Sequence, residues 1–355
     1  MTKRTDPKSL DFHLKKILSN ERRFENVYQS LTRMFRDFGH SRVTALGKDV
    51  YDFAVFRQGN RHLIGLSHEI NSFVTFVQSA AEGGDSAKLA FVLEGEPGNA
   101  KTFFVDYLQE AYREFLEEDT NSRFTFKFKN LDKLGGYGQL NEISSQTFED
   151  PMILAMNLFG FSKKKREIAK EYLAAKGFDE SEVERMFDIY RPLGACSSYA
   201  LRKIREHTDG NIESMLDFVD IVPVELSPSE GTVTSVLHAK DKVSATAFDL
   251  VGGQDVVRIL QLSDQNNPYK INVGAGALAR SGGGGIHFVD ELFKFNDDLI
   301  KVYLGLIQNR EIEVMSYKWF LDTCIIATTN YTELMNFKDN DENQPVIDRC
   351  RFINV

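Results

Sequence analysis

The sequence has 355 residues, of which 42% are hydrophobic and 27% are charged, values typical of a globular protein with about two domains. This composition excludes collagen-like, disordered and disulfide-rich scaffold proteins. No run approaches the roughly 18 apolar residues that a membrane helix needs, and no apolar segment follows the basic N-terminus as in a secretory signal. The three cysteines are far apart, which favours a reducing compartment, and we therefore predict a cytoplasmic protein.

The net charge of −9 is distributed unevenly, because residues 1–60 contain 12 Lys and Arg but only 7 Asp and Glu. The rest of the chain is therefore strongly acidic, which argues against nucleic acid as the main partner. A second basic run comprises four consecutive residues, from Lys163 to Arg166. Both basic segments are interpreted as solvated helix faces, the usual position of such charge.

The first half of the chain alternates helices with strands. Apolar periodicity predicts helix over residues 9–38 and again over 65–82. A short apolar run at 89–93 predicts a strand buried on both faces, and a turn-rich loop and a helix follow it. Alternation over 124–129 predicts the next strand, so that this region is expected to form one unit of an α/β sheet.

The middle of the chain, residues 130–270, lacks this alternation and is predicted to be mostly helical. The elements predicted from there onward are helices at 162–175, 180–190 and 197–207, a strand at 286–289, a helix at 295–308, a strand at 323–328 and the start of a strand at 351–355. Because a domain seldom ends at the start of a strand, we interpret the sequence as a fragment of a longer chain.

The strongest functional motif lies between the strand at 89–93 and the helix that follows it. It is similar to the P-loop pattern of glycine, four residues, glycine, lysine and then serine or threonine. The eight residues are Gly95, Glu96, Pro97, Gly98, Asn99, Ala100, Lys101 and Thr102. Such a loop turns backbone N–H groups toward an anion at the positive end of a helix. Lys101 is predicted to contact the β- and γ-phosphates of ATP, and the Thr102 hydroxyl to bind magnesium.

Ala100 departs from this pattern, because glycine usually precedes the lysine. Ordinary backbone angles at this position would accommodate its methyl group. The alternative interpretation is a Gly/Pro turn with a surface lysine. The apolar strand before the loop and the amphipathic helix after it favour a phosphate-binding loop instead.

A second motif ends the strand predicted at 286–289 with two carboxylates, Asp290 and Glu291. Beside a P-loop strand, Asp290 is predicted to hold magnesium, directly or through water. Glu291 is predicted to act as the general base that polarises the attacking water. An acidic pair after a strand is common by chance, and its significance here comes from the P-loop.

Two further motifs with polar residues follow in chain order. Asn330 follows the strand predicted at 323–328, and its side-chain amide would lie near the γ-phosphate or the attacking water. The alternative interpretation is an ordinary polar loop after a strand. Near the C-terminus, Arg349 and Arg351 are both candidates for an arginine that neutralises transition-state charge in a neighbouring subunit. The alternative for either arginine is a surface salt bridge with a nearby acid.

In this order the four motifs resemble the AAA+ ATPase core, in which they are called Walker A, Walker B, sensor 1 and arginine finger. Residues 276–291 contain a Gly-x-Leu helix and a glycine pair before the acidic strand. They are similar to the AAA+ branch with an insert in its second helix, which includes MoxR-type, magnesium-chelatase and enhancer-binding ATPases. A looser similarity across most of the chain, including residues 191–194 and 198–202, is to the PrkA family of bacterial serine protein kinases.

The resemblance implies both a fold and a function. The fold is an α/β P-loop NTPase of the AAA+ type, with a parallel sheet flanked by helices. The implied parts are an N-terminal helical segment (1–60), the first part of the core with the P-loop (61–130), a large and mostly helical insert (131–270) and the second part of the core (271–355). The implied function is Mg²⁺-dependent phosphoryl transfer from ATP in a serine protein kinase module, with a protein substrate and a homo-oligomer.

Two alternatives stay open from the sequence. A remodelling ATPase of the MoxR or enhancer-binding type would act on a protein partner without forming phosphoserine. A nucleotide-gated binding scaffold would bind ATP with little turnover, and Ala100 favours this possibility. The sequence contains no signature of a eukaryotic-type kinase, so kinase activity is implied by the resemblance alone.

Overall fold

The computed structural model describes residues 8–45, 48–57, 63, 65–227, 229–230, 232–238 and 246–355. The helices are α1 (Leu10–Leu18), α2 (Val27–Phe38), α3 (Ser67–Ala81), α4 (Lys101–Glu117), α5 (Pro151–Asn157), α6 (Lys163–Ala175), α7 (Glu180–Asp188), α8 (Ala195–His207), α9 (Ile212–Leu216), α10 (Ala247–Val251), α11 (Val256–Gln261), α12 (Ala277–Ser281), α13 (Asp297–Asn309), α14 (Tyr331–Lys338) and α15 (Gln344–Ile347). The strands are β1 (His40–Ala45), β2 (Lys48–Phe53), β3 (Ala90–Glu94), β4 (Phe124–Phe128), β5 (Ile143–Ser144), β6 (Val219–Pro223), β7 (Thr234–His238), β8 (Gly253–Gln254), β9 (Ile271–Asn272), β10 (Gly283–Asp290), β11 (Glu311–Val314), β12 (Tyr317–Phe320), β13 (Asp322–Thr329) and β14 (Cys350–Asn354).

Five parallel strands form the central sheet, in the order β14, β3, β13, β10 and β7. Successive side chains point to opposite faces of a strand. Phe91 and Phe288 therefore pack on one face against α2, α3 and α4, whereas Val92 and Val289 pack on the other face against α12 and α13. The three central strands, β3, β13 and β10, are buried on both faces, as is typical of parallel strands. The predicted α/β architecture, a parallel sheet flanked by helices, is confirmed.

The helix predicted over residues 9–38 is two helices, α1 and α2, so the prediction of one continuous helix was wrong. Asn20 has a left-handed backbone (φ 59°) between them. Asn26 then begins α2 with a capping box, in which its side chain accepts from the Gln29 N–H and the Gln29 side chain accepts from the Asn26 N–H. Asparagine is well suited to both conformations, which explains the break.

The strand predicted at 124–129 is present as β4, but it does not join the parallel sheet. It pairs antiparallel with β5 and β6 in a separate sheet of three strands. This sheet packs with α1 and with helices of the middle region in its own hydrophobic cluster. The prediction that residues 89–129 form one α/β unit was therefore wrong at its last strand.

The middle region combines the predicted helices with strands that the sequence pattern did not indicate. Helices α6, α7 and α8 correspond to the three helices predicted there. Strand β7, however, lies within the range 131–270 and is the edge strand of the central sheet, parallel to β10. It places His238 opposite Asp290 in the register. Residues 131–270 therefore contribute a strand to the central sheet.

The three cysteines are free thiols, and none lies at an open surface. Cys324 is buried in the centre of β13, and burial raises its pKa to about 12. Burial also raises the pKa of Cys196 in α8 and raises that of Cys350 in β14 to about 12. A raised pKa keeps a thiol protonated and weakly nucleophilic at neutral pH.

None of the helices in the described ranges combines the length and the apolar character that crossing a bilayer would require.

Candidate functional site

The carboxyl ends of β3, β13 and β10 lie side by side in the sheet, and the predicted motifs meet there. They line one cavity of about 410 Å³. Its lining residues are Pro97, Gly98, Asn99, Ala100, Lys101, Thr102, Phe103, Asp290, Glu291, Thr328, Thr329 and Asn330. Open parallel sheets bind their ligands at this edge. The structure thus brings three of the four predicted motifs into a single site.

The loop before α4 is fixed in place by its two glycines. The Gly95 N–H donates to the Thr329 carbonyl oxygen at 3.2 Å, which ties the loop to β13. A side chain at Gly95 has no room, since a Cβ atom there would lie 2.7 Å from the carbonyl oxygen of Val355. Gly98 has φ 91°, a left-handed conformation that glycine adopts without steric cost. The local backbone therefore favours glycine at both positions.

Ala100 has φ 56° and ψ 14°, so the ordinary backbone angles that would accommodate its methyl group are not present. A left-handed conformation costs a residue with a Cβ atom about 1–2 kcal/mol. Ala100 is also the N-cap of α4, and its side chain makes no capping hydrogen bond. The first N–H groups of α4 consequently have no side-chain acceptor from the cap, which suits them to an anion.

Lys101 lies at the start of α4 with its ammonium group folded against the loop. Its Nζ donates to the carbonyl oxygens of Gly95 at 2.5 Å and Glu96 at 2.8 Å. Partial burial lowers the pKa of Lys101, whereas the carboxylates of Glu96, Asp290 and Glu291 act in the opposite direction. The ammonium is therefore within electrostatic reach of the acidic pair.

Thr328 holds the two residues of the acidic pair together. Its hydroxyl donates to Asp290 Oδ1 at 2.7 Å and accepts from the Glu291 N–H at 3.0 Å. The other carboxylate oxygen of Asp290 lies 3.2 Å from Nδ1 of His238 on the edge strand β7. Glu291 itself has a left-handed backbone, with φ 58°. These contacts fix Asp290 while the chain turns sharply after it.

The carboxylate of Glu291 is engaged by a lysine that no sequence motif indicated. Lys294 Nζ lies 2.5 Å from Glu291 Oε2 and 3.0 Å from Glu333 Oε1. Its hydrogen bond to Glu291 and, less strongly, that to Glu333 raise the pKa of Lys294. Asn330, the N-cap of α14, accepts from the Glu333 N–H at 2.8 Å. The only signal in the sequence was the spacing of three residues between Glu291 and Lys294.

The two candidate arginines lie outside this cavity. Arg349 Nη1 donates to the carbonyl oxygen of Pro345 at 2.6 Å, and Arg351 is exposed on β14. Neither side chain lines the cavity of its own chain. The structure therefore does not bring the fourth motif together with the other three within one molecule.

The oxygen donors of the cavity fit the magnesium ion predicted from the sequence. Mg²⁺ is usually held by one or two protein oxygens together with phosphate oxygens and water. The Thr102 hydroxyl and the Asp290 carboxylate both line the cavity, and Thr328 orients the carboxylate. Within the described residues no group of three or more His, Cys, Asp or Glu could hold a metal ion. The donor set thus suits an ion that shares its ligands with a phosphate group.

Among the solved structures with a distant likeness to the chain are two of NtrX from Brucella abortus. The structure in complex with ADP has 13% sequence identity and a TM-score of 0.22, over 54% of this chain and 47% of that chain. The second NtrX structure has 13% identity and a TM-score of 0.25, over 85% of this chain and 56% of that chain. The chain thus spans about half the length of these structures. No curated protein matches the sequence.

The comparison with protein families gives a clear result. The PrkA AAA domain matches residues 171–355, a range that begins after the P-loop and includes Asp290, Glu291 and Asn330. Residues 171–355 are more than half of the sequence, and they contain four strands of the central sheet. The predicted resemblance is confirmed, and the chain belongs to the PrkA AAA domain family.

Proposed function

We propose that this chain is the ATP-binding and ATP-hydrolysing AAA+ module of a PrkA-type serine protein kinase. The observation that supports this function is the single cavity that the P-loop residues share with the acidic pair and Asn330. The start of α4 offers N–H groups to the phosphates, and Lys101 supplies positive charge beside them. The distant likeness to an ADP complex is too weak to add support.

In this site the phosphoryl group is transferred by in-line attack on the γ-phosphate. Glu291 accepts a proton from the attacking water and must first leave its ion pair with Lys294. The amide group of Asn330 orients the water, and Lys101 stabilises the charge that develops on the phosphate oxygens. Thr102 and Asp290 would hold magnesium, which would supply positive charge to neutralise the phosphates.

Arg349 acts in trans in this proposal, because it lies outside the cavity of its own chain. The active form is then a homo-oligomer in which each subunit faces the nucleotide of its neighbour. The division into residues 1–60, 61–130, 131–270 and 271–355 belongs to the same proposal. The insert, residues 131–270, contacts the protein substrate, since it is far longer than an ordinary loop.

Mg-ATP binding and phosphate release together test the proposed site. We expect calorimetry to detect Mg-ATP binding to the wild type and to Glu291→Gln, but not to Lys101→Met. We expect Glu291→Gln to release phosphate about 100-fold more slowly, because it lacks the general base. Glu342→Gln, which changes an exposed glutamate outside the cavity, is the matched control and should keep the wild-type rate.

Each alternative function gives a different result. Absence of Mg-ATP binding to the wild type would overturn the proposal. Equal phosphate release by the wild type and Glu291→Gln would favour a nucleotide-gated scaffold. Transfer of radiolabelled γ-phosphate to serine of a protein substrate would identify a kinase. ATP turnover that drives a change in a protein partner without phosphoserine would identify a remodelling ATPase.

A further inference from the structure

A second cavity, of about 530 Å³, lies in the middle region and shares no lining residue with the candidate nucleotide site. One of its walls is a single stripe of helix α8. The residues of this stripe are Ser198, Leu201, Arg202 and Arg205. Their spacing of three or four residues places them on one helix face. The remaining lining combines polar residues, such as Asn157 and Asn266, with an apolar part formed by Phe161, Pro192, Leu193 and Pro268. The cavity thus combines an apolar surface with two guanidinium groups.

The two arginines of the stripe lack a carboxylate partner in the described part of the chain. Arg205 donates from Nε and Nη2 to the carbonyl oxygen of Leu158, at 3.2 and 2.7 Å. Its Nη1 has no acceptor among the described residues, and burial lowers the pKa of Arg205. Arg202 is exposed and lies 5.1 Å from the ring centroid of Tyr199. Both guanidinium groups therefore keep N–H donors that a ligand in the cavity could use.

One acidic residue near Arg202 is already engaged by other groups. Asp264 accepts from the Tyr199 hydroxyl at 2.6 Å and from the Asn266 N–H at 2.8 Å. These two hydrogen bonds are the largest causes that lower the pKa of Asp264, and Arg202 contributes only a weaker charge effect. The guanidinium of Arg202 therefore retains its hydrogen-bond donors for a ligand.

A basic run next to the cavity supports the same conclusion. Phe161, which lines the cavity and is 58% exposed, is followed by Ser162, the N-cap of α6. The first turn of α6 then consists of three exposed lysines, 163–165, and contains no acidic residue. Positive charge is unfavourable at the positive end of a helix, and no ion pair among the described residues compensates it. A charge pattern that opposes local stability without compensation is typical of a binding surface.

We propose that this cavity is a binding site for a phosphorylated residue in a segment of a partner protein. The phosphate lies between Arg202 and Arg205, which are one helical turn apart, and the Ser198 hydroxyl donates to it. A phosphate of about two negative charges matches the guanidinium of Arg202 together with the open Nη1 of Arg205 better than a single carboxylate does. The apolar wall around Phe161 takes a neighbouring apolar side chain of the same segment. This site is separate from the proposed ATPase function and does not depend on it.

A phosphorylated protein segment fits the observations better than a nucleic acid does. Nucleic acids are bound along extended basic surfaces, whereas this site is a concave cavity with an apolar wall. The chain as a whole carries a net charge of −9, which repels a long polyanion. Arginine clusters that read single phosphorylated residues are a recurring mode of peptide recognition.

Fluorescence anisotropy with the 355-residue chain tests this site. The probe is a labelled short peptide with one phosphoserine next to a leucine, and matched peptides carry serine or glutamate at the same position. We expect the phosphopeptide to bind about tenfold more tightly than either matched peptide. Arg202→Gln removes an exposed side chain that makes no hydrogen bond in the described structure, and it should weaken phosphopeptide binding about tenfold. Lys203→Gln removes the same charge from α8 outside the cavity, and it should leave affinity unchanged.

Ser198→Asp is a second variant that does not depend on the loss of an arginine. It places a negative charge at an exposed position of the stripe and should abolish phosphopeptide binding, while thermal unfolding stays as in the wild type. Equal effects of Arg202→Gln and Lys203→Gln would overturn the proposal. So would equal affinity for the glutamate peptide, tighter binding of a single-stranded RNA that Arg202→Gln weakens, or displacement of the phosphopeptide by Mg-ATP. Absence of binding by all three peptides would overturn it as well.

Discussion

At the scale of single residues, Ala100 does not suit the backbone conformation that it adopts. The chain keeps the left-handed conformation that glycine usually supplies before the lysine, yet it places a methyl group there. Strain of this kind is retained where the surrounding structure determines the backbone. Here the strand β3 before the loop and the helix α4 after it fix both ends of the turn.

Replacing Ala100 by glycine should relieve this strain. We expect Ala100→Gly to raise the free energy of unfolding by about 0.5–1 kcal/mol, because relief of the left-handed conformation exceeds the entropy that glycine adds to the unfolded chain. Urea denaturation measures the change. The matched control is Ala174→Gly on the exposed side of α6, where the same substitution should lower the free energy of unfolding by about 0.5–1 kcal/mol. A decrease at both positions would contradict the expected strain.

The residues expected to contact the phosphate and magnesium follow from short motifs, whereas the residues that hold them do not. Lys101 and Asp290 stand at fixed positions relative to a loop and a strand end. Lys294 and Glu333 become neighbours only because α14 begins beside the turn that follows β10. Long-range ion pairs of this kind leave no pattern in one sequence. The functional roles of all these residues stay predictions.

At the scale of elements, His287 connects three parts of the core. It lies in β10 with Nδ1 at 2.7 Å from Ser235 Oγ of β7, and with Nε2 at 2.8 Å from the Tyr303 hydroxyl of α13. Burial lowers the pKa of His287 to about 3. The neutral imidazole thus links the edge strand and a flanking helix to the centre of the sheet.

This buried histidine should make stability depend on pH. The unfolded chain takes up a proton near pH 6.5, whereas folded His287 does not, so stability is lost as pH falls below about 6.5 and the loss continues toward about pH 3. Between about pH 7 and about pH 5 we expect the wild type to lose about 2 kcal/mol more than His287→Gln. Denaturation of both proteins across this range measures the difference, since other groups titrate in both. Parallel stability curves would show that His287 is protonated in the folded state.

Elements with strong apolar periodicity were predicted from the sequence, whereas several strands with weak periodicity were missed. The apolar runs of β3, β10 and β13 and the amphipathic helices α3, α6 and α8 were found close to their observed bounds. Strands β6, β7, β11 and β12 were missed, because each is short and only partly apolar. The partner of β4 was also wrong, since pairing depends on residues almost 100 positions away. Alternation in sequence identifies a strand but not the sheet it joins.

At the scale of the whole molecule, the N-terminal helices belong to the folded core. Helix α2 packs against the central sheet in the same hydrophobic cluster as α3 and α4. Arg310, at the end of α13, donates to the Tyr28 hydroxyl at 2.5 Å and to the carbonyl oxygens of Ala87 and Thr323. Arg123 donates to the carbonyl oxygen of Glu25 at 2.7 Å. Two arginines therefore join the N-terminal segment to distant parts of the chain.

Removal of Arg310 should destabilise the whole fold. We expect Arg310→Met to lower the free energy of unfolding by about 3 kcal/mol, because three oxygen acceptors lose their donor. Arg185→Met, which changes an exposed arginine of α7, should change it by less than about 0.5 kcal/mol. Chemical denaturation followed by circular dichroism measures both. Similar values for the two variants would show that the Arg310 contacts are replaced by water.

An arginine that acts across subunits predicts complementation between inactive variants. Arg349→Ala and Glu291→Gln should each lose ATP turnover, but a mixture should regain part of it, since mixed oligomers contain sites with both groups intact. Arg351→Ala in place of Arg349→Ala is the control that decides between the two candidates. Phosphate release by the mixtures measures the recovery. Complete inactivity of both mixtures would contradict action in trans.

The reaction rate of a buried thiol can measure how often the central sheet opens. Cys324 in β13 reacts with an alkylating reagent only after the strand separates from its neighbours, because its sulfur is both enclosed and protonated. The rate of labelling at this position, read by peptide mass spectrometry, therefore reports how often the centre of the molecule becomes accessible. Any nucleotide that bridges β3, β10 and β13 should slow that labelling.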